Sequence, residues 1–208
     1  MVKIISIANQ KGGVGKTTTS INLATSLSAI NKKILLVDAD PQGNASTGLG
    51  ISYENRNPSL YDLIVKQDFD DQAIKKTLVP GLDIITANTN LAASEIELAD
   101  IKNREFVLKN ILSKITRYDY ILIDCPPALG LLTINSLVAA NSVIVPLQSE
   151  FFALEGISSL VNSIGLIKES FNPNLLIEGI LLTMVDKRNS LSALVEKDVR
   201  DHFGETVY

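Results

Sequence analysis

Apolar residues form six short continuous runs along the chain, and between the runs they recur at helical spacing. The runs are KIISIAN (3–9), KILLVDAD (33–40), LDIITA (82–87), YDYILIDCPP (118–127), SVIVPL (142–147) and IEGILLTMV (177–185). Unbroken Val/Ile/Leu strands, rather than alternating ones, predict burial on both faces. The intervening segments read as helices. Residues 16–30 carry Ile21, Leu23, Ala24 and Leu27 at helical spacing, and residues 104–116 place Phe106, Val107, Ile111 and Ile115 on one face. Residues 153–169 align Leu154, Ile157, Leu160, Val161 and Ile164, and a last helix is predicted over 190–203. Strand–helix alternation with short links predicts an α/β fold: a doubly wound, mostly parallel sheet with helices on both faces. The stretch 50–81, with Asn55, Asn57, Pro58, Pro80 and Gly81, reads as a surface excursion.

Ligands of such sheets bind at the carboxyl ends of the strands. Gly12, Asp38, Asp40, Asp124 and Asp186 all fall just after predicted strand ends, so five chemically useful residues converge on one edge. The first strand runs into NQKGGVGKTTT (9–19), a glycine-rich turn that opens a helix. Backbone amides of such a turn and of a helix N-terminus bind anions. Gly15-Lys16-Thr17 fits the end of the phosphate-loop pattern, in which the lysine reaches the β/γ-phosphates and the hydroxyl ligates Mg²⁺. The glycine that should open the pattern is Gln10, and a second lysine, Lys11, follows it before Gly12-Gly13. Asp124, ending an apolar strand, suits the acidic partner of a nucleotide-bound Mg²⁺. In DADPQGN (38–44), Asp38 and Asp40 point the same way on extended backbone, and Pro41 and Gly43 bend the chain. That loop suits holding an attacking water against a γ-phosphate.

Composition narrows the setting. At 208 residues, 46% hydrophobic and 20% charged, the chain has the size and balance of one globular domain. The single cysteine, Cys125, excludes an intrachain disulfide and fits a reducing compartment. The opening apolar run is too short for a signal sequence. The stretch 131–147 is broken by Asn135, Ser136, Asn141 and Ser142, so it reads as a helix then a strand rather than a membrane span. A cytoplasmic protein is expected. The net charge of −4 gives no overall nucleic-acid footprint. One basic cluster stands out near the end: Lys187, Arg188, Lys197 and Arg200, with His202 nearby. His202 reads as a surface residue and Cys125 as a buried small one.

The motifs KGGVGKTT, VDADPQGN and YDYILIDCPPALG, with EFFALEG (150–156) and EGILLTMVDKR (178–188), resemble the ParA/MinD family of ATPases with a deviant Walker A motif. Within it they are most similar to the ParA/Soj partitioning branch, over Lys3 to about Phe203. The resemblance implies a P-loop ATPase using ATP and Mg²⁺, with weak intrinsic hydrolysis. It implies that Lys11 crosses the interface of a nucleotide-sandwich homodimer, Lys16 binds phosphate, Thr18 meets the α-phosphate and Asp40 orients water. Gly12, Gly13, Val14 and Gly15 form the cradle. Thr17 and Asp124 are implied at the metal, with Asp38 in its outer shell, and Asp186 at the adenine. The implied partners are non-specific DNA, with Arg188 at or beside an arginine that contributes in relatives and Lys187, Lys197 and Arg200 in the same basic cluster, and a ParB/Spo0J-like centromere-binding protein, with no membrane. The implied location is the nucleoid. Relatives continue past the final FGETVY, so residues 1–208 are read as a single ParA-type ATPase domain truncated at its C-terminus. Two other functions stay open: a MinD-type membrane switch, and an ATP-dependent synthetase forming amides or rings on the same fold.

Overall fold

The computed structural model describes residues 2–150, 153–186 and 188–208, with the side chains of 153–155 outside the description. The elements run β1 (Lys3–Ile7), α1 (Lys16–Ala29), β2 (Ile34–Asp38), α2 (Asn44–Gly48), α3 (Leu60–Lys66), β3 (Ile74–Lys76) and β4 (Leu82–Ile85). Then follow α4 (Ser94–Glu97), α5 (Val107–Leu112), β5 (Tyr120–Asp124), α6 (Leu131–Ala139), β6 (Ser142–Gln148), α7 (Ala153–Ser170), β7 (Leu176–Thr183) and α8 (Ser190–Phe203). One seven-stranded sheet has the order β3-β4-β2-β5-β1-β6-β7, and every pairing is parallel except β3 with β4.

The continuous apolar strands are explained by two cores. Leu35, Val37, Ile121, Ile123, Val143 and Val145 face one of them, which takes in residues of α3, α5, α6 and α7. Ile5, Ile7, Ile34, Leu36 and Leu122 face the other, shared with Ala24 of α1. Neighbouring strand residues thus point into opposite cores, and both sides must be apolar. Helix α1 departs from the expected apolar stripe. Its buried residues are Lys16, Ser20, Ala24 and Ser28, four apart, while Ile21, Leu23 and Leu27 are half-buried. Ser20 bonds Asp124 and Ser28 bonds the Pro80 carbonyl, so their hydroxyls are satisfied where they are buried.

The excursion at 50–81 is more structured than the sequence reading allowed. Leu60, Leu63 and Ile64 of α3 are buried in the first core. Asp62 accepts hydrogen bonds from the Ser59 amide (2.7 Å) and hydroxyl (2.9 Å), the acidic variant of a capping box. The three-residue β3 closes the sheet edge as the one antiparallel strand among the described residues. Among those residues no helix is long and apolar enough to cross a membrane.

Candidate functional site

The site begins where β1 stops. Asn9 is buried; its Nδ2 donates to the Pro146 carbonyl (2.7 Å) and its Oδ1 accepts from the Lys11 amide (3.0 Å), pinning the root of the loop to β6. Gly13 and Gly15 adopt left-handed φ values of 77° and 89°, which side chains resist, and Gly15 is the N-cap of α1. Thr183 of β7 donates to the Val14 carbonyl at 2.9 Å and holds the loop from the far side. The loop from Gly12 to Thr18 lines a cavity of about 340 Å³, joined by Asp40, Gln42, Asn44, Pro127 and Met184.

Lys16 is buried, and its ammonium donates to the Lys11 carbonyl at 2.9 Å. Burial lowers its pKa, opposed chiefly by the charge of Asp124. Lys11 is half-exposed, and its ammonium is paired with the Glu150 carboxylate of the same chain. The two lysines therefore differ in kind: one is drawn into the loop and the other stands at its mouth.

Asp38 and Asp124 end adjacent strands in register. Both are fully buried, yet only one is fully partnered. Oδ2 of Asp38 accepts from the amide (2.8 Å) and hydroxyl (2.7 Å) of Ser46, and Oδ1 from the Asp40 amide (3.3 Å). Burial pushes its pKa to about 6 despite those bonds. Oδ1 of Asp124 accepts from Ser20 at 2.9 Å, while its Oδ2 has no hydrogen-bond partner among the described residues. Burial is the main cause of its rise to about 7. The Thr17 hydroxyl stands near enough to oppose this, though no bond of ordinary geometry reaches Oδ2. A buried orphaned carboxylate oxygen beside a hydroxyl and a lysine is a receptor for a cation or proton. Asp40 is buried too, and its Oδ1 accepts from the Gln42 amide at 2.9 Å.

The structure therefore brings Lys16, Thr17, Thr18 and Asp40 around one cavity, with Asp124 buried behind the loop, near enough for its charge to act on Lys16, and Asp38 beside it on the neighbouring strand. It does not bring Asp186 there. That carboxylate lies beyond the end of β7 and accepts from Nε (3.0 Å) and Nη2 (2.9 Å) of Arg188, which hold its pKa below the usual range. Met184, with φ of 53°, lines the cavity from the end of β7. Lys187 lies outside the described residues. Arg188 is occupied by Asp186. Arg200 bonds Glu196 (3.0 Å) and the Val207 carbonyl (2.9 Å), and Lys197 is exposed. His202 is exposed against Phe203, and Cys125 is buried with its pKa pushed up to about 12. Sequence reasoning passed over Asn9, Ser20, Ser46 and Thr183. Only Ser20 left a signal, lying one helical turn after Lys16.

Residues 2–177 match a family model described as an AAA domain (AAA_31). The chromosome partitioning protein ParA of Caulobacter vibrioides is 52% identical over 210 residues, covering all of this chain and 79% of its own length. The sporulation initiation inhibitor protein Soj of Bacillus subtilis is 51% identical, covering all of this chain and 83% of its own. A cobyrinic acid a,c-diamide synthase from Mycobacterium smegmatis, solved with ADP and magnesium, superposes with a TM-score of 0.92 at 37% identity over 98% of this chain and 83% of its own. A putative plasmid partition protein of Borrelia burgdorferi bound to AMPPNP gives 0.84 at 29% identity, over 100% of this chain and 83% of its own. With a glycine-loop cavity, a buried loop lysine and these relatives together, the chain belongs to the ParA/Soj family of partitioning P-loop ATPases.

Proposed function

We propose that this chain is an ATP-driven dimerising switch for segregating DNA, binding DNA non-specifically as the ATP-bound dimer. The observation that carries the nucleotide site is buried Lys16 in a cavity lined by the glycine loop, with the charge of buried Asp124 acting on it and Oδ2 of Asp124 left without a hydrogen-bond partner among the described residues. The residues fit Mg²⁺: Thr17 and Asp124 would hold it, and Asp38, with both oxygens engaged, would act only from behind. Among the described residues there is no cluster of three His, Cys, Asp or Glu suited to a metal. That suits an ion that draws most of its ligands from phosphate and water. Bound there, Mg²⁺ would neutralise charge developing between the β- and γ-phosphates.

The chain's own groups divide the remaining work. Loop amides and Lys16 bind the phosphates, and Lys16 exchanges the Lys11 carbonyl for a phosphate oxygen. Asp40 orients the attacking water at the cavity wall. Lys11 leaves Glu150 and reaches the nucleotide of a second subunit, as a cation supplied in trans does in other phosphoryl-transfer enzymes. Two subunits then share the ATP charge, and hydrolysis releases them. A ParB-like protein accelerates that step. DNA phosphates are met by Lys197 and, after exchange of their carboxylate partners, by Arg188 and Arg200.

Co-sedimentation with DNA under ATP, ADP and no nucleotide tests the switch. ATP-dependent binding is expected, lost in Lys11→Ala and retained or prolonged in Asp40→Ala. Equal binding with and without ATP overturns it. Binding to anionic liposomes in place of DNA supports the membrane switch instead. The amide-synthase name of one solved neighbour keeps a synthetase in view, but the partitioning relatives are closer in sequence, at 51–52% against 37%.

A further inference from the structure

Arg56 is a buried cation without a counter-charge among the described residues. It is 6% exposed and forms no ion pair among the described residues. All its acceptors are neutral: Nη1 donates to the Ala87 carbonyl (3.2 Å), Nη2 to Thr47 Oγ1 (2.7 Å), and Nε and Nη2 to the Ile51 carbonyl (3.4 Å each). The guanidinium carbon lies 5.6 Å from the centroid of the Tyr53 ring. Burying an unpaired charge is costly, and an apolar side chain would fill the same space more cheaply. The placement of this charge therefore calls for a reason.

The reason lies in what the guanidinium touches. A Cβ built on Gly43 would fall 2.2 Å from Nη1 of Arg56 and 3.0 Å from the Ala87 carbonyl. Gly43, with φ of 64°, is the turning point of the Asp40–Asn44 loop. Its amide donates to the Asp40 carbonyl (2.9 Å), and its own carbonyl accepts from the amide (3.0 Å) and hydroxyl (3.1 Å) of Thr47. That same hydroxyl accepts from Arg56. A continuous chain of hydrogen bonds thus runs from Arg56 through Thr47 and Gly43 to Asp40. The Arg56 carbonyl accepts from Thr86 (2.7 Å), fixing the clamp to the segment after β4.

We propose that Arg56 is a positioning residue for ATP hydrolysis: from behind Gly43 it holds residues 40–47 in the shape that presents Asp40 to the phosphate cavity. The inference rests on the reading of Asp40 as the residue that orients water. A planar five-donor fork reaches three acceptors at once, which a lysine cannot reproduce.

Steady-state hydrolysis, affinity for a fluorescent ATP analogue and backbone amide exchange are to be measured on the full chain as wild type, Arg56→Met, Arg56→Lys and Thr47→Val. Arg56→Met is expected to lower kcat by about tenfold or more, with KM and analogue affinity within about twofold, because misplacement acts on the reacting geometry and not on phosphate binding. Thr47→Val is expected to shift kcat the same way by less, and Arg56→Lys to recover part of the loss. Exchange should quicken at residues 42–48 and stay unchanged at 13–20. An unchanged kcat beside quickened exchange reduces Arg56 to a structural clamp and overturns the proposal, as does a loss of affinity equal to the loss of kcat. If Arg56→Met does not fold, the other two variants decide by the same criteria. A wild type that binds the analogue without hydrolysing ATP is failure of the ATPase reading, and unchanged exchange at 42–48 then still overturns the role of Arg56.

Discussion

The edge where β1, β2 and β5 end and the outer face of α8 both gather charge, but they treat it differently. At the strand ends Asp38, Asp124 and Lys16 are withdrawn from water, and burial moves each pKa towards the neutral form. On α8 and the loop before it, Arg188 keeps 90% of its side chain exposed and Arg200 46%, and each rests on a carboxylate of its own neighbourhood. Exposed pairs of this kind contribute little to stability, because water and salt screen them. Folding has spent free energy to place charge at the first region only. That is a physical reason to assign the demanding chemistry there and a salt-sensitive, replaceable contact to the second.

The largest expected effect tests the first region directly. Lys16→Ala should weaken nucleotide binding on the order of 100-fold, or ~3 kcal/mol, by removing a charged hydrogen bond to phosphate. Calorimetric titration of ATP against both proteins measures it, and a loss under threefold would place Lys16 with the replaceable charges. Next is the dependence of stability on pH. Asp124 has a folded pKa of about 7, above the ordinary 3.8, so the native state holds the proton that the unfolded chain has lost. Stability from this source is complete below about pH 4 and is lost as pH rises through 7. Asp38 adds the same sign up to about pH 6. Thermal unfolding from pH 4 to 8 without divalent cations should show a falling Tm, and Asp124→Asn should flatten the fall above pH 6. A slope unchanged in Asp124→Asn would remove the contrast between the two regions.

Smaller effects are expected on α8. Lys197→Ala should reduce the steepness of DNA affinity against salt by roughly one released counterion. Arg200→Ala should reduce it less, because Glu196 and the Val207 carbonyl already hold that side chain. Fluorescence anisotropy across a salt series separates them, and equal slopes would mean that the ion pair is inert. Least of all, Cys125, buried and with its pKa pushed to about 12, should resist iodoacetamide in the folded state and react after denaturation, as mass spectrometry will show.

The readable parts of the sequence were those governed by local pattern. Continuous apolar strands followed by Asp38, Asp124 or a glycine loop revealed the sheet, its parallel sense and the occupied edge. Contacts made across space were not readable. Ser46 holds Asp38 from a short helix, and Arg56 reaches Gly43 from a segment that looked like surface excursion. The antiparallel β3 is only Ile74–Lys76, too short to carry a period. Helix α3 could have been read from Ser59 and Asp62, since that cap is written in residues three apart in the sequence. Asp186 follows its strand as anticipated, but its carboxylate is bonded to Arg188 and does not line the cavity.

The sheet order has a consequence for how the protein is made. Of the seven described strands β1 is synthesised before the rest, but its neighbours are β5 and β6, with Ile7 opposite Asp124 on one side and Ile144 on the other. At ~5–20 residues per second, translation delivers those neighbours roughly ten seconds after the glycine loop has been made. Until then the phosphate loop has no Asp124 beside it and no β7 threonine to hold Val14. Nucleotide therefore rewards only a chain whose centre has closed, and ligand binding draws late folding intermediates towards the finished state. On the proposed function, ATP would stabilise the closed centre of the sheet before it is hydrolysed.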